Sequence, residues 1–551
     1  MVQSHDHFPA ASSPSLNIRS GTLNDTLFHD HTAFANIRNR PASWIRAEVA
    51  QTLQHLSALY SVVNAEAPVC RLPPEILSQV FLWVVALTSP KTNWVRITHV
   101  CRQWRDVALD CQTLWTHITP QHPEPFVSIC LQRAGAAPLQ VQYHHDASRG
   151  CKHSQEFMQT IGPHAPRFGD LDIAAPPSVM RKMVEKLGGP LPYLKRLALV
   201  AKTPGLNLTS PFLLPEDFTS GIPSLHQLSL TCATVSSWNL PLFSGIRTLH
   251  LSEQHRSFAP SIDQFLDVLE RCPALEELSL RNAGPTLGGD ATSYPEPTRK
   301  VELGSLRLLS LSQDRFYDIP FVLAHVAVPQ TTRLEIQYLG QSHHPHHALG
   351  SSFKYCLPRD TSSLLPLKAV SYLRLGAQGG FIQAVGLSEG DGVEDCPLIC
   401  ISTKWPQSFQ SPDEWIYDAF RQLPLAFSQC PVHHLALIFP ARLAKAEDWT
   451  QLFSAFPTIK TLTVEQSRAG GPFDKHDAAK FLFGALGETS MGRLPAPHLS
   501  SLRLQSWTGA DKMEQEARAC LLARARHETC VPLDLTVNCE LWSVDGLMSV
   551  V

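Results

Sequence analysis

The sequence predicts an α/β protein in which a small all-α module is followed by an irregular solenoid of parallel strands and helices. Two observations indicate this fold. Residues 70–118 carry short apolar segments with helical spacing, and a pattern of the form L-x-x-L-x-L recurs from about residue 165 onward. The chain has 551 residues, which is too long for one small core and favours several domains or a repeat array.

Composition and charge limit the classes of partner. Hydrophobic residues make up 44% of the chain and charged residues 17%, a composition typical of a folded protein. The net charge of −3 provides no strongly basic face to neutralise a phosphate backbone. The longest apolar stretch, 76–87, is shorter than the ~20 residues of a membrane span. We expect neither nucleic acid nor membrane as a partner.

The first 69 residues contain two segments of different character. Residues 1–40 are rich in Ser, His, Asn and Asp without periodicity, so we expect a disordered tail. Residues 41–69 are predicted to contain an amphipathic helix, because apolar residues recur in steps of three and four. These residues are Ile45, Val49, Leu53, Leu56, Tyr60 and Val63. Such a helix either packs on its own domain or serves self-association.

Residues 70–118 are predicted to form the small helical module. Pro73 and Pro74 suit a first helical turn, where a backbone N–H needs no partner, and Glu75 suits the positive end of the helix. An apolar face then contains Ile76, Leu77, Val80, Phe81 and Val84. A core of about 50 residues leaves apolar surface that a partner can cover.

A second helix is predicted within ITHVCRQWRDVAL, and LWTHI at 114–118 closes the module. The apolar positions of this helix are Ile97, Val100, Cys101, Trp104, Val107 and Ala108. Arg102, Arg105 and Asp106 occupy its other face. This pattern predicts a helix with one apolar face and one polar face.

An F-box resembles three segments of this chain in their order: RLPPEILSQVFLWV, HVCRQWRDVAL and LWTHI. Their sequences are similar to those of the large F-box families of mushroom-forming fungi. The resemblance covers about residues 70–118. It implies a three-helix module that docks on a Skp-family adaptor and, through it, on a cullin ubiquitin ligase. Some of the matching residues are expected to serve the module's own core. The implied adaptor-binding positions are Leu72, Pro73, Ile76, Leu77, Val100, Trp104, Leu114 and Trp115.

Residues 119–165 are predicted to be a linker or cap, and residues 166–508 a leucine-rich-repeat array. Each short strand points alternate side chains inward, and stacked copies bury the face that one copy cannot bury alone. TTRLEIQY at 331–338 is a weaker copy. The stronger copies are Phe168-Leu171-Ile173, Leu194-Leu197-Leu199, Leu225-Leu228-Leu230, Ile246-Leu249-Leu251, Leu275-Leu278-Leu280, Leu306-Leu309-Leu311, Val370-Leu373-Leu375, Val432-Leu435-Leu437, Ile459-Leu462-Val464 and Leu499-Leu502-Leu504.

Three long loops are predicted to interrupt this array, at 284–300, 340–363 and 376–396, because Gly, Ser, Pro and His dominate much of them. Residues 509–551 are predicted to form a C-terminal helix and a capping strand. The F-box followed by leucine-rich repeats is an order that fits the same fungal families.

The sequence contains only weak matches to catalytic and metal-binding motifs. Gly386-Leu387-Ser388-Glu389-Gly390 matches G-x-S-x-G, but the following residues make a poor helix start, so a Gly-rich loop is favoured over a nucleophile elbow. His343, His344, His346 and His347 do not preset a tetrahedral metal site. Cys396 and Cys400 have no second cysteine pair. We therefore expect no catalytic residues, no metal and no cofactor.

The leading hypothesis is a substrate-recognition subunit of an SCF-type ubiquitin ligase. Its partners would be a Skp-family adaptor, cullin through that adaptor, and an unidentified substrate protein. The alternative is a leucine-rich-repeat interaction scaffold without a ligase role, and a hydrolase that uses Ser388 is a distant third. No secretory signal features are visible at the N-terminus, so we expect the protein in the cytoplasm, the nucleus or both.

Overall fold

The protein is described here from a computed structural model, and the chain divides into a unit that ends at Leu114 and a unit that begins at Trp115. No helix in the described part of the chain is long and apolar enough to cross a membrane. The structure describes residues 40–87, 93–145, 150–201, 211–287, 294–315, 317–340, 353, 356–378, 380–388, 397–404, 413–466, 476–487, 494–507, 510–538 and 540–542.

The described residues of the first unit form helices and the short segments that connect them, and they contain no strand. Its α-helices are α1 (Ala42–Glu66), α2 (Pro74–Leu87) and α3 (Arg102–Asp110). Short 3-10 helices lie between and after them, at Pro68–Arg71, Asn93–His99 and Gln112–Trp115. The predicted tail lies almost entirely in residues 1–39, outside the described residues.

Helix α1 is amphipathic by sequence, and its apolar side chains are exposed in the described part of the chain. None of its 25 residues is buried, and the apolar side chains of Val49, Leu53, Leu56, Tyr60 and Val63 are exposed. The packing of this helix on its own domain and its use in self-association both stay predictions. Periodicity predicts that a helix has an apolar face, but it does not specify a surface that covers that face.

The second predicted helix is divided in two. The chain forms a 3-10 helix over Asn93–His99, and α3 begins only at Arg102. Cys101 lies between them in an extended conformation (φ −154°, ψ 174°), and its Sγ accepts a hydrogen bond from the Trp104 N–H at 3.5 Å. Cys101 is thus the N-cap of α3, a role in which non-helical φ and ψ angles are required. Val100, predicted on the helix face, lies in the break and is exposed.

The second unit combines helices with a long sheet. Its helices are α4 (Glu124–Arg133), α5 (Gly150–Ile161), α6 (Pro177–Lys186), α7 (Glu216–Ser220), α8 (Ile262–Glu270), α9 (Asp318–Ala324), α10 (Asp413–Phe427), α11 (Ala446–Ala455), α12 (His476–Gly487) and α13 (Ala510–Ala525). Its strands are β1 (His117–Ile118), β2 (Leu139–His144), β3 (Phe168–Ala175), β4 (Arg196–Ala201), β5 (Phe212–Leu214), β6 (Gln227–Thr231), β7 (Ala233–Val235), β8 (Thr248–Ser252), β9 (Glu277–Arg281), β10 (Val301–Glu302), β11 (Leu308–Gln313), β12 (Val326–Ala327), β13 (Arg333–Tyr338), β14 (Tyr372–Gln378), β15 (Phe381–Leu387), β16 (Ile399–Lys404), β17 (His434–Phe439), β18 (Thr461–Gln466), β19 (Ser501–Gln505), β20 (Asp534–Val537) and β21 (Glu540–Trp542).

Seventeen of the described strands join one sheet. Their pairings give the order β1-β2-β3-β4-β6-β8-β9-β11-β13-β16-β15-β14-β17-β18-β19-β20-β21. All of these pairs are parallel except the two made by β15 and the one between β20 and β21. Two small parallel pairs, β5 with β7 and β10 with β12, lie outside this sheet.

The recurring leucine pattern occupies equivalent places in this sheet. From β3 to β13, Leu171, Leu197, Leu228, Leu249, Leu278, Leu309 and Leu334 pair in register across neighbouring strands. Leu373, Leu435, Leu462, Leu502 and Leu535 form a second row from β14 to β20. All members of both rows are buried. Each strand thus contributes its apolar face to one continuous buried layer.

The sheet extends beyond the predicted array. Strand β2 lies within 119–165, which the sequence predicted as a linker or cap, and it pairs with β3. Within the loop predicted at 376–396, Phe381–Leu387 forms strand β15. Its alternating sequence FIQAVGL buries Ile382 and Ala384 on one face, which is the period-2 pattern of a strand. Gly380, with φ of +86°, forms the turn from β14.

Several strands end in the same backbone feature. Cys232, Glu253, Asn282, Ser506 and Asn538 each directly follow a strand and have φ between +44° and +60°. The left-handed region is uncommon for residues other than glycine, although Asn is tolerated there. These residues turn the chain at the carboxyl ends of β6, β8, β9, β19 and β20.

Candidate protein-interaction surface of the helical module

Helix α2 has a buried face and an exposed apolar face. Leu77 and Phe81 are 0% and 1% exposed, and they anchor the helix in the core of the first unit. On the adjoining side, Ile76, Trp83 and Leu87 are 50%, 68% and 83% exposed. At 100° per residue these three positions lie within one narrow stripe. A helix in water with such a stripe presents an apolar surface suited to a partner.

We call this surface the α2 stripe. All of its members are exposed. The other members follow Ile76 by four, seven, eight and eleven residues, and this spacing places them along one side of the helix. Trp83 is the aromatic member, and aromatic side chains are enriched among the anchors of protein interfaces. The α2 stripe consists of Ile76, Val80, Trp83, Val84 and Leu87.

Packing of α2 on α3 holds the stripe in place. The rings of Phe81 and Trp104 lie 5.1 Å apart between centroids with an interplanar angle of 55°. Val107 and Ala108 on α3 are buried, and the side chain of Arg105 donates from Nε to the Thr98 carbonyl at 2.9 Å. Tilted aromatic pairs at this distance add to the free energy of area burial.

The segment before α2 is tied to α3. Gln103 Nε2 donates to the carbonyl oxygen of Cys70 at 2.8 Å, and the Leu77 N–H donates to the Pro73 carbonyl at 3.0 Å. Burial, and then the neighbouring Cys101, raise the pKa of the Cys70 thiol, so this thiol remains protonated at neutral pH. Leu72, two residues after Cys70, is half-buried.

The eight residues implied to bind an adaptor fall into three groups. Pro73, Ile76 and Val100 are exposed, and Leu72 and Trp104 are half-buried. The other three, Leu77, Leu114 and Trp115, are buried. Their assignment as adaptor contacts stays a prediction for all eight, and the buried three contribute to cores in this structure.

Trp115 belongs to the second unit, where its environment explains its burial. Its ring lies 6.3 Å from that of Phe126 between centroids. The guanidinium of Arg133 stands over the indole at 5.1 Å from the ring centroid, a geometry in which a cation is attracted to the aromatic face. These contacts account for the burial of Trp115. Leu114, which is also buried, is the last residue of the first unit.

Four members of the α2 stripe are absent from the predicted adaptor-binding set: Val80, Trp83, Val84 and Leu87. A usable signal was present in the sequence, since these residues continue from Ile76 with helical spacing. The buried and exposed apolar positions of α2 are interleaved in sequence. Apolarity alone therefore could not separate Leu77, which is in the core, from Ile76, which is not.

The motifs considered for chemistry are only partly described. Ser388 follows strand β15, which is antiparallel to both of its neighbours, whereas Glu389 and Gly390 lie outside the described residues. The same is true of Cys396 and of His343, His344, His346 and His347. Burial raises the pKa of the Cys400 thiol. Among the described residues, no group of three or more His, Cys, Asp or Glu side chains is arranged to hold a metal ion.

Comparison with protein-family models finds an F-box-like domain at residues 69–121. The match contains the whole of α2 and α3, and it confirms the resemblance to an F-box over this part of the chain. F-box domains typically bind Skp-type adaptors, and F-box proteins are generally non-catalytic adaptors of ubiquitin ligases. A comparison with curated proteins finds no match.

Proposed function

We propose that this protein is a substrate-recognition subunit of an SCF-type cullin ubiquitin ligase. The observation that carries the proposal is the F-box-like domain at residues 69–121. In this role the domain docks on a Skp-family adaptor, which in turn joins a cullin. The α2 stripe supports the proposal, because it offers the apolar and aromatic surface that a stable interface requires.

Two of the three exposed positions in the predicted adaptor-binding set lie at the start of α2. Pro73 begins the segment and Ile76 belongs to the stripe itself, so both are accessible to an adaptor without unfolding of the module. Burial of large apolar side chains supplies most of the free energy of a typical interface, and a few central residues dominate it. We assign Ile76 and Trp83 to that central role.

For the second unit we propose a leucine-rich-repeat array that binds the target protein. Support comes from the two buried rows of in-register leucines and from the repeated left-handed residue after the strands. In a repeat array the strands and their turns present a long surface for binding. The chain then contributes proximity, because it holds a target beside a loaded conjugating enzyme and raises its effective concentration.

Adaptor binding tests this proposal directly. The wild-type chain and the Trp83→Glu variant are each co-expressed with a Skp-family adaptor, and the amount of adaptor retained is measured. Leu425→Glu in α10 is the matched control, because Leu425 is 69% exposed and Trp83 is 68% exposed. We expect stoichiometric adaptor with the wild type and the control, and loss of adaptor with Trp83→Glu.

A second variant addresses the sequence motif. Replacing Leu72, Pro73 and Ile76 together by Ala is expected to abolish adaptor binding while the second unit keeps its thermal unfolding transition. Absence of adaptor from the wild-type chain would contradict the proposal. An adaptor complex that never engages a cullin would instead favour the interaction scaffold.

A further inference from the structure

Helix α1 carries an apolar stripe that no described residue covers. None of its 25 residues is buried. The side chains of Val49, Leu53, Leu56, Tyr60 and Val63 are 52%, 60%, 43%, 66% and 63% exposed. At 100° per residue these five positions lie within an arc of about 80°. We call these five residues the α1 stripe.

The local sequence of α1 does little to stabilise it as a helix. Its N-cap, Pro41, makes no side-chain hydrogen bond, and the helix has no acidic residue in its first turn and no basic residue in its last turn. The hydroxyls of Thr52 and Ser61 donate to carbonyls four residues earlier, a contact that slightly destabilises a helix. Most of the stability of a helix comes from packing of its apolar face. Helix α1 therefore needs a partner for its stripe.

The rest of the first unit leaves the length of α1 accessible. Among the described residues, the main contact of α1 is with the 3-10 helix Pro68–Arg71, which directly follows it in the chain. The two are joined by a turn in which the Ala67 N–H donates to the Asn64 carbonyl at 3.1 Å. Helix α2, by contrast, is anchored in the core by Leu77 and Phe81. A long partner can therefore lie along the whole α1 stripe.

The area of the stripe is sufficient for an interface between two copies. Its five side chains together expose on the order of 500 Å², which is comparable to the largest apolar patch of a typical monomer, about 300–600 Å². Two copies that cover this surface bury roughly 1,000 Å², the size from which a specific interface is expected. Leu59, which is 51% exposed, borders the stripe and adds to this area.

The sequence of the stripe suits pairing with an identical helix. From Val49 its members follow one another by four, three, four and three residues. This spacing averages 3.5 residues, as at the apolar a and d positions of a coiled coil. Residues 49–65 contain no Asp, Glu, Lys or Arg. Two identical helices can therefore meet along these residues without the repulsion of like charges.

We propose that α1 pairs with α1 of a second copy of this chain through the α1 stripe, in a two-stranded helical interface. Both copies contribute the same patch, as in a two-fold symmetric dimer. The dissociated chain is the monomer described above, in which the stripe is exposed and contributes little to the stability of the helical module. The pairing does not depend on the proposed ligase function, and it joins two helical modules in one assembly.

Sedimentation velocity of the full chain over a range of concentrations tests the pairing. We expect a monomer–dimer equilibrium with a dissociation constant of roughly micromolar order, at the weak end of the range for protein interfaces, because the contact is small. A chain that remains monomeric at concentrations about tenfold above that value would overturn the proposal.

Substitutions locate the interface on the stripe. The double variant Leu53→Glu with Leu56→Glu brings like charges together in the pair, so we expect the dimer to be at least about a hundredfold weaker. The matched control is Gln51→Glu with Gln54→Glu. It adds the same charge to exposed positions of α1 on the side away from the stripe, and we expect it to dimerise as the wild type does. A dimer of equal affinity in the stripe variant would show that another surface joins the copies.

Amide hydrogen exchange of residues 42–66 gives a second readout that requires no substitution. Amides of α1 are expected to exchange more slowly above the dissociation constant than below it, because pairing suppresses local opening of the helix. We expect the same dependence on concentration in the control variant and none in the stripe variant. Exchange of these amides that does not change across the monomer–dimer transition would overturn the placement of the interface on α1.

The same measurements distinguish a second copy from other occupants of the stripe. Slow exchange of the α1 amides at all concentrations, in a monomeric chain, would overturn the proposal in favour of a segment of the same chain, such as residues 1–39. Fast exchange at all concentrations would overturn it in favour of a different protein. No adaptor is present in these experiments. A failed adaptor pull-down therefore leaves the pairing intact, and a monomeric chain leaves the F-box result intact.

Discussion

The side-chain amide of Gln103 donates a hydrogen bond to the carbonyl oxygen of Cys70 over 2.8 Å and 33 residues of sequence. This bond connects α3 to the segment that enters α2, and Leu72 and Pro73 lie on that segment. A carbonyl that loses such a donor in a partly buried site keeps the penalty of desolvation. The bond therefore orients the start of the proposed adaptor-binding surface.

Replacement of Gln103 by Leu is expected to lower the free energy of unfolding of the helical module by about 1 kcal/mol. Adaptor binding is expected to weaken as well, because the segment at Leu72 loses its attachment. Hydrogen exchange of residues 70–110 in increasing urea measures the first effect. Gln112→Leu, at an exposed glutamine, is the control, and an equal loss there would argue against a specific role of Gln103.

Two leucines distinguish a packed helix from an exposed one. Leu77→Ala is expected to cost roughly 2–5 kcal/mol, because the side chain is fully buried and a cavity remains. Leu56→Ala on α1 is expected to change stability by less than about 0.5 kcal/mol, because that leucine is exposed. Urea unfolding of both variants gives the comparison. Comparable losses would show that α1 packs on its own domain in solution.

The ion pair of Arg442 with Asp413 should stabilise the start of α10. Its Nη2 and Oδ2 atoms are 2.7 Å apart, and the Asp413 side chain is 3% exposed. Arg442→Met removes the charge-assisted hydrogen bond to this buried carboxylate, so we expect a loss of roughly 1.5–3 kcal/mol. Arg196→Met, which breaks the more exposed pair with Asp170, is expected to cost less than about 1 kcal/mol. Chemical denaturation that shows similar losses in both variants would contradict this expectation.

His122 is expected to make stability depend on pH. Burial, and then the ring of His117, lower the pKa of His122 to about 4, below about 6.5 for an unfolded histidine. Above pH 6.5 both states are neutral, and no stability is lost. As the pH falls towards 4 the unfolded state alone takes up the proton, so up to about 2 kcal/mol of stability is lost, and little more below pH 4.

The check is a series of unfolding curves between pH 4 and pH 7.5 for the wild type and His122→Phe. The variant is expected to lose less stability than the wild type over that window, since its ring does not titrate and can pack beside Phe126. His99→Phe, at an exposed histidine, is expected to follow the wild type. Identical pH profiles for the wild type and His122→Phe would show that His122 does not cause the pH dependence of stability.

Arg524 should stabilise the turn before β19 by hydrogen bonding. Its side chain is buried, and its guanidinium donates to the carbonyls of Pro495, Ala496 and Leu499 at 3.0, 2.9 and 3.4 Å. Arg524→Lys retains the charge but removes the fork, so we expect a loss of roughly 2–3 kcal/mol. Arg526→Lys, at an exposed neighbour, is expected to be neutral. Thermal unfolding of the two variants measures these losses. Equal stability of Arg524→Lys and Arg526→Lys would show that the guanidinium of Arg524 is not needed for stability.

Much of the second unit followed from local pattern. The repeated spacing of Leu228 with Leu230, and of Leu249 with Leu251, specifies which side chains of a strand share a face. The structure places these residues in register and buries them. Pattern could not specify the order of strands. The β15–β16 hairpin lies between β13 and β14, and that placement depends on contacts distant in sequence.

The candidate site shows the same division. The sequence by itself determined the motif order around Leu72, the start of α2 and the apolar character of its faces, because caps and periodicity are local properties. Only the tertiary structure decided that Leu77 is covered while Ile76 and Trp83 are open, and that the helical run breaks after His99 and starts again at the N-cap Cys101. Exposure depends on what packs against a face, and a face's own residues do not specify its partner.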